Sequence, residues 1–136
     1  MLKPPICRVG GKSKLRKDII DLIPEHTCYI ELFFGAGWVY FGKETSKIEV
    51  INDIDKELID IKERLSNIYV ENLSFEKIID KYDREHSFFF CDPPYFETEG
   101  YDNKFEEEEH IILRDKLKNL KGKFLLTIND HEKVRE

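Results

Sequence analysis

The sequence predicts an α/β fold in which one mainly parallel, doubly wound sheet carries helices on both faces. Short apolar runs typical of buried strands alternate along the chain with segments whose apolar residues recur at helical spacing. Strands that alternate with helices pair in parallel through right-handed crossovers. The length of 136 residues fits one such unit, and we predict a single domain over residues 1–136.

Composition and charge indicate a soluble globular protein. Hydrophobic residues make up 40% of the chain and charged residues 37%. No apolar run approaches the roughly 20 residues that span a bilayer, and residues 1–5 lack the apolar core of a signal peptide. We therefore expect a cytoplasmic protein without a membrane segment. The net charge of −6 argues against indiscriminate nucleic-acid binding, although residues 1–17 carry basic side chains and no acid.

The cysteines and histidines bear on redox chemistry and metal binding. Cys7, Cys28 and Cys91 are odd in number, widely spaced and partly inside apolar runs. This pattern favours buried thiols over a disulfide framework or a zinc site. The 4 histidines are scattered without a metal or triad pattern, so we expect no bound metal.

The first elements are a glycine-containing turn and a helix. Arg8 to Ser13 reads Arg-Val-Gly-Gly-Lys-Ser. Apolar residues then recur at helical spacing from Leu15 to Ile23, until Pro24 ends the run. Taken alone, the segment fits an ordinary turn in which Ser13 caps the helix.

A strand over Thr27 to Leu32 leads directly into Phe-Phe-Gly-Ala-Gly-Trp. A strand followed by Gly-x-Gly and a helix-like stretch is typical of places where the backbone approaches a bound nucleotide or cofactor closely. The third glycine of a dinucleotide loop would fall at Tyr40, and this disfavours P-loop and hydride-cofactor sites. Gly35 and Gly37 are equally open to a second interpretation, a tight turn between strand and helix.

The second strand, Lys47 to Ile51, ends on Asn52 and Asp53. An acid about 16 positions after the glycine turn, at the end of the next strand, lies where a ribose hydroxyl pair is held. Asp53 is therefore a candidate ribose ligand. The alternative is a helix cap, because apolar residues from Leu58 to Leu65 predict a following helix.

The rest of the chain continues the alternation of strands and helices. We predict a strand over Ile68 to Leu73, a helix after Ser74, a strand over Ser87 to Cys91, a helix from Glu106 and a strand over Lys123 to Ile128. The acids that begin at Glu106 fit the first turn of a helix, where the macrodipole favours negative charge, and we assign them no binding role.

The most informative stretch is Phe88 to Tyr95, which reads Phe-Phe-Phe-Cys-Asp-Pro-Pro-Tyr. A buried strand stops here at Asp92, and the two prolines that follow stiffen the backbone and remove two N–H donors. Ligands bind at the carboxyl ends of strands in open α/β sheets. A carboxylate, free carbonyls and an aromatic ring on one rigid arm therefore predict a site for a flat, amine-bearing ring.

Five motifs together carry a family resemblance. In order they are Arg-Val-Gly-Gly-Lys, Glu-Leu-Phe-Phe-Gly-Ala-Gly, Ile-Asn-Asp-Ile-Asp, Phe-Cys-Asp-Pro-Pro-Tyr and Phe-Leu-Leu-Thr-Ile-Asn-Asp. With them the chain resembles the DNA adenine N6-methyltransferases of the Dam type, the D12 class, from about Leu2 to its last residue. The resemblance implies a Rossmann-like fold, S-adenosylmethionine (SAM) as the cofactor, and a flipped adenine in DNA as the substrate.

The resemblance also implies site residues. Those expected to bind the cofactor are Arg8, Gly11, Lys12, Glu31, Phe33, Gly35, Gly37, Asp53 and Asp92. Those expected to be catalytic are Asp92, Pro93, Pro94 and Tyr95. By the same resemblance, the two glycines of the turn pass close to the methionine part of SAM, Asp53 holds the ribose, and Asp92 lies between cofactor and target.

The chemistry of amine methylation agrees with this assignment. An adenine amine is buried in the base stack, so the base is flipped out at a cost of a few kcal/mol. Stacking on Tyr95 offsets part of this, with roughly 1–3 kcal/mol per base. The Asp92 carboxylate and the Pro93 carbonyl each accept one N–H, which directs the nitrogen lone pair at the methyl donor. No covalent nucleophile is required, so we assign Cys91 to the core.

Two differences from the family leave alternatives open. Only Ser66 and Asn67 separate the helix over Leu58 to Leu65 from the next strand, where the family usually carries a target-recognition insert. Family members also continue beyond the equivalent of Glu136 through a helix and a hairpin. We therefore expect a minimal catalytic domain that lacks both parts. The alternatives are an inactive remnant that binds SAM and needs a partner chain for DNA, an RNA or protein amine methyltransferase, and a non-catalytic nucleotide-binding module.

Overall fold

The computed structural model describes residues 15–54, 68–95 and 105–135, and the structural statements below concern these ranges. The helices within them are α1 (Arg16–Asp21), α2 (Trp38–Gly42), α3 (Phe75–Tyr82), α4 (Glu107–Lys118) and α5 (Glu132–Arg135). The strands are β1 (Cys28–Glu31), β2 (Ile48–Asn52), β3 (Tyr69–Glu71), β4 (Ser87–Cys91) and β5 (Lys123–Leu126). The turn expected at Arg8 to Ser13 and the helix expected over Leu58 to Leu65 lie outside the described residues.

The strands form one parallel sheet in the order β3-β2-β1-β4-β5. The chain adds β2 and β3 on one side of β1, and then adds β4 and β5 on its other side. This reversal makes the boundary between β1 and β4 the topological switch point, where open α/β sheets bind ligands beyond the carboxyl ends of the strands. The sheet confirms the predicted, mainly parallel α/β fold.

Helices cover both faces of the sheet, as predicted. On one face α3 and α4 pack on alternate residues of the central strands. The buried members of this cluster are Cys28, Ile30, Leu32, Val50, Phe75, Ile78, Ile79, Phe89, Cys91, Leu113 and Leu117. The buried cluster on the other face, beneath α1 and α2, contains Ile19, Tyr29, Val39, Phe88 and Phe90. Side chains alternate along a strand, so both sides of the central strands are buried, and this explains their continuous apolar runs.

The main differences from the predicted strand ends are at β3 and β5. β3 ends at Glu71 rather than Leu73, because Leu73 donates its N–H to the side chain of Asn52. β5 ends at Leu126 rather than Ile128, and Thr127 hydrogen-bonds to the residues that end β4. At β3 a side chain thus replaces the backbone ladder, whereas beyond β5 the Thr127 N–H still donates to the Cys91 carbonyl and its hydroxyl adds a bond to Asp92.

The turn between α4 and β5 is fastened to the turn that precedes β4. The Asp83 carboxylate accepts the N–H groups of Lys121 and Gly122, each at 2.9 Å. A Cβ on Gly122 would collide with the carbonyl oxygens of Ser87 and Arg84. Glycine is therefore required at 122, and the two turns pack as one unit at the amino ends of β4 and β5.

Helix α4 begins with a reciprocal cap. The Glu106 side chain accepts a hydrogen bond from the first helical turn, and the Glu106 N–H donates to the Glu109 carboxylate at 2.9 Å. This capping box satisfies N–H groups that the start of a helix otherwise leaves unpaired, which confirms the helical interpretation of these acids. Within the described ranges, none of the helices combines the length and the apolar character that crossing a membrane requires.

Candidate active site

Three acidic side chains meet where β1, β2 and β4 end, a region we call the carboxyl edge. Glu31 ends β1, Asp53 follows β2 and Asp92 follows β4. Burial raises the pKa of Glu31, and the negative charges of Asp92 and Asp53 raise it further. The fold thus brings together three of the residues that the sequence analysis selected, around the switch point between β1 and β4.

The turn after β1 requires glycine at two positions for different reasons. Gly35 and Gly37 both adopt left-handed backbone conformations, with φ of 53° and 71°. A Cβ on Gly37 would overlap the ring of Phe34, whereas a Cβ on Gly35 would meet no heavy atom of the described residues within 4 Å. Gly37 therefore serves packing inside the turn, and the open space lies beside Gly35.

Asp53 is joined to the glycine turn. Its Oδ2 accepts the Gly35 N–H at 2.9 Å, although the two residues are 18 positions apart. The carbonyl of Asp53 accepts a hydrogen bond from the side chain of Asn72 at 2.7 Å. The helix that Asp53 was an alternative candidate to cap lies outside the described residues. In the described part of the chain, this carboxylate holds the turn and remains a candidate ribose ligand.

Asn52 is a positioning residue that the sequence analysis missed. It is 3% exposed, and its side-chain amide donates to the carbonyls of Leu32 at 3.1 Å and Leu73 at 3.0 Å. Its side-chain oxygen accepts the Leu73 N–H at 3.0 Å. One buried amide thus ties the ends of β1, β2 and β3 together, and its only sequence signal is the polar pair that closes the second strand.

Glu31 is the most buried acid of the carboxyl edge, with 2% exposure. The Tyr29 hydroxyl donates to its Oε2 at 3.2 Å. Burial raises the pKa of Glu31 well above the usual value, and the bond from Tyr29 and the positive charge of Lys43 offset part of this. The carboxyl group is therefore poised to take a proton or to receive a cationic group.

Phe33 belongs to an aromatic cluster on the α3 and α4 side of the sheet. Its ring centroid lies 5.8 Å from that of Phe75 and 5.5 Å from that of Phe105, and the contact with Phe105 is edge-on. The His110 ring packs edge-on against Phe105 at 4.7 Å. Burial lowers the pKa of His110. Phe33 is half-buried, and it directly follows Leu32 at the carboxyl end of β1.

Asp92 is held by a residue from the neighbouring strand. The Thr127 hydroxyl donates to Asp92 Oδ1 at 2.8 Å, and the Thr127 N–H donates to the Cys91 carbonyl at 2.9 Å. The sequence analysis placed Thr127 inside a strand and assigned it no role. The only signal was its place in a motif, because nothing in the sequence shows that it lies beside Asp92.

The residues around Asp92 differ in exposure. The Cys91 thiol is fully buried, and burial raises its pKa, so it lacks the thiolate character of a nucleophile. Pro93 is fully buried as well, while Pro94 and Tyr95 are half-buried. The ring of Pro93 therefore anchors the arm to the fold, and the following residues reach the surface.

The structure does not describe three of the predicted cofactor ligands. Arg8, Gly11 and Lys12 lie outside the described residues. Over 15–54, 68–95 and 105–135, no three His, Cys, Asp or Glu side chains are grouped so as to hold a metal ion.

A groove of about 400 Å³ lies between α3 and α4, away from the carboxyl edge. Its lining includes Asp80 and Asp83, which are engaged inside the fold: Asp80 pairs with Lys116 at 2.6 Å, and Asp83 holds the turn before β5. The groove lacks the aromatic ring and the glycine turn found at the carboxyl edge. We therefore place the candidate site at the carboxyl edge.

The fold and this edge define a class, the Rossmann-like α/β proteins with a candidate ligand site at the switch point. Within it, the family model of the D12 class N6 adenine-specific DNA methyltransferases matches residues 9–65 and 55–136. The chain belongs to that family, as the resemblance predicted. Methyl transfer is the activity of the family, and its chemistry depends on SAM.

One solved structure supports the fold, and a second gives a lower score. The candidate methyltransferase YhhF of Escherichia coli is similar, with a TM-score of 0.53 and 16% identity over 93% of this chain and 73% of that chain. A conserved hypothetical protein of Streptococcus pyogenes gives a TM-score of 0.47 at 18% identity and covers 59% of this chain. The chain spans 57% of that protein. No curated protein matches the sequence.

Proposed function

We propose that this chain transfers a methyl group from SAM to the N6 amine of an adenine flipped out of DNA. Membership of the D12 class supports methyl transfer and suggests the adenine target. The observation that carries the proposal is the position of Asp92, which follows β4 at the switch point beside the glycine turn. The reaction needs two parts. One is an acceptor for the N–H groups of the amine, and the other is a backbone turn with space beside it for the methyl donor.

Two features of the carboxyl edge support SAM as the cofactor, the space beside Gly35 and the acidic side chains. The open space beside Gly35 leaves room for the methionine part of the cofactor. The sulfonium and ammonium groups of SAM are positive, and the acids of this edge complement them. In this proposal the residues that hold SAM are Arg8, Gly11, Lys12, Glu31, Phe33, Gly35, Gly37, Asp53 and Asp92. When bound, SAM supplies an electrophilic methyl group.

The residues after β4 act on the adenine. Asp92 and the Pro93 carbonyl each accept one N–H of the amine, which leaves the nitrogen lone pair directed at the methyl group. The half-buried ring of Tyr95 stacks on the flipped base, and Pro94 keeps the backbone between these groups stiff. The chain thereby positions the amine and needs no covalent intermediate.

Cofactor binding is tested first by calorimetry with SAM. We expect binding, and a higher melting temperature in its presence. Gly35→Ala fills the open space, so its SAM affinity is expected to fall by more than its stability accounts for. Gly122→Ala is the control, because its Cβ would meet the Ser87 and Arg84 carbonyl oxygens far from the carboxyl edge and is expected only to destabilise the fold. No binding at millimolar SAM would contradict the cofactor assignment.

Catalysis is tested by incubating the protein with SAM and mixed DNA, followed by mass spectrometry for N6-methyladenine. Asp92→Ala is expected to abolish transfer while the fold is kept. Asp115→Ala, at an exposed acid of α4, is the matched control and is expected to retain transfer. Full activity of Asp92→Ala would refute its role. Parallel assays with RNA and protein substrates test those alternatives.

Target recognition is proposed to depend on a partner chain. The observation that favours this is in the sequence, where only Ser66 and Asn67 separate the predicted helix from the next predicted strand, at the place of the usual recognition insert. Without a partner, DNA methylation is expected to be slow, weakly sequence-specific and sensitive to salt, since phosphate contacts then dominate binding. Tight selection of one short site by the isolated chain would contradict this part of the proposal.

A further inference from the structure

Thr127 lies at the end of β5, next to the end of β4. The two strands are in register, with Leu126 opposite Cys91, so Thr127 follows on beside Asp92. Its N–H donates to the Cys91 carbonyl at 2.9 Å, which fixes the threonine backbone to the sheet. Its hydroxyl donates to Asp92 Oδ1 at 2.8 Å, while the Cys91 carbonyl lies farther from the same hydroxyl, at 3.4 Å.

We infer that Thr127 is a positioning residue for methyl transfer, whose hydroxyl holds the Asp92 carboxylate in the orientation that receives the amine. This inference rests on the proposed function of Asp92. Thr127 itself does not contact the substrate in this scheme. It acts through Asp92, and through the edge of the sheet to which both residues are attached.

The geometry separates this role from simple packing. The backbone bond to Cys91 already secures Thr127, so the hydroxyl is not needed to attach β5 to β4. A hydrogen bond to a carboxylate is stronger and shorter than one between neutral groups, and this explains why the hydroxyl selects Asp92. Threonine is β-branched, which restricts χ1, and the backbone of Thr127 is held by its bond to Cys91, so its hydroxyl has few alternative directions.

The expected consequence for catalysis follows from the sensitivity of group transfer to geometry. A bond that fixes Oδ1 limits rotation of the Asp92 carboxylate, and a displacement of about 1 Å in a reacting group costs about 100-fold in rate. Removal of the hydroxyl is therefore expected to act on turnover. Binding of SAM is expected to change little, because the glycine turn and Asp53 are untouched.

The test compares Thr127→Val, Thr127→Ser and the exposed control Thr45→Val in the full chain. For Thr127→Val we expect kcat for adenine methylation to fall about 10- to 100-fold with KM for SAM within about twofold. Thr127→Ser restores the hydroxyl and is expected to recover most of kcat. Thr45→Val is expected to match the wild type. Crystal structures of the wild type and of Thr127→Val measure the orientation of Asp92 independently of activity.

Each outcome decides the inference. A lower kcat with recovery in Thr127→Ser and a rotated Asp92 in Thr127→Val support it. Wild-type kcat in Thr127→Val overturns it. So does a loss in both variants that follows their melting temperatures, because that result assigns Thr127 a structural role. If the wild type transfers no methyl group to adenine, the proposed function fails, and the Asp92 orientation in the two crystal structures alone decides whether Thr127 holds it.

Discussion

Two buried glutamates on the same face of the sheet have opposite surroundings. Glu49 in β2 is 7% exposed and forms an ion pair with Lys43. It also accepts the Ser46 N–H and the Tyr40 hydroxyl, each at 2.9 Å. Burial acts to raise the pKa of Glu49, but the hydrogen bonds from Lys43 and Ser46 outweigh it, and the pKa lies below its usual value.

Glu31 in β1 is buried more deeply than Glu49, and its burial raises its pKa above the usual value. The Glu31 carboxylate accepts a hydrogen bond from the neutral hydroxyl of Tyr29, and the charges of Asp92 and Asp53 act against its ionisation. Glu49 lies in a polar network completed inside the fold, near the amino ends of the strands. Glu31 lies at the carboxyl edge, where the field of the protein favours the arrival of a positive charge. The difference distinguishes a group that stabilises the fold from one suited to a ligand.

Lys43→Met is expected to have the largest effect on stability. The Lys43 side chain is 3% exposed and its ammonium nitrogen lies 4.1 Å from the centroid of the Tyr29 ring, so its removal leaves Glu49 as an uncompensated buried charge. We expect a loss of about 3–5 kcal/mol in the free energy of unfolding by urea. Lys47→Met, at an exposed lysine of the same loop, is the control. An equal loss in both variants would contradict the conclusion that Lys43 stabilises the fold by compensating the buried charge of Glu49.

Glu49→Gln is expected to destabilise the protein by about 1–3 kcal/mol at neutral pH, because it leaves Lys43 without its anion. The folded state lowers the pKa of Glu49, so its ionised form stabilises the fold above the pKa of the unfolded state, about 4.3. That stabilisation is lost as the pH falls through the folded-state value. Urea unfolding from pH 7 to pH 3 is expected to show the difference between wild type and variant shrink below about pH 4.

Glu31→Gln is expected to have the opposite sign. The folded state raises the pKa of Glu31, so stability falls as the pH rises from about 4.3 towards the folded-state value. Without ligand, Glu31→Gln is therefore expected to be more stable than the wild type at neutral pH. Its SAM affinity is expected to fall at the same time. If Glu31→Gln is less stable than the wild type at every pH, Glu31 stabilises the fold as Glu49 does, and the contrast between the two glutamates is wrong.

The smallest expected effect is a release of protons on cofactor binding. A positive ligand beside Glu31 lowers its pKa, so protons leave the protein at pH values between the pKa of the bound state and the raised pKa of the free state. Calorimetry of SAM binding in two buffers with different ionisation enthalpies measures this release. Glu31→Gln is expected to abolish it and Glu49→Gln to preserve it. Equal binding heats in both buffers for the wild type would contradict the assignment of Glu31.

Sequence patterns predicted the sheet well because its central strands are buried on both sides. The run Ser87 to Cys91 has the bounds of β4, since all five of its residues are buried. β3 was predicted too long, because Asn52 removes Leu73 from the ladder. Apolar periodicity shows which residues face inward, but it does not reveal when a side chain replaces a backbone partner.

The candidate site was predictable only in part, for a related reason. The strand-end position marked Asp53 and Asp92, and the rule for parallel sheets brings such ends together. Thr127 and Asn52 act through contacts with residues 35 and 20 positions away. No local pattern specifies such pairs, because strand order and register decide them. The family resemblance supplied Glu31, and only the fold revealed how its surroundings differ from those of Glu49.

The hydrogen bonds that hold the turn before β5 to Asp83 have a consequence for protein engineering. Asp83 and Gly122 fasten one end of this strand, and its 4 residues then set how far Thr127 reaches along the sheet. Deletion of a single residue from β5 would bring Ile128 beside Asp92, with a side chain that cannot donate a hydrogen bond. Libraries that vary the largely exposed residues of β5 are therefore expected to yield active variants, whereas insertions and deletions there are expected to yield folded, inactive ones.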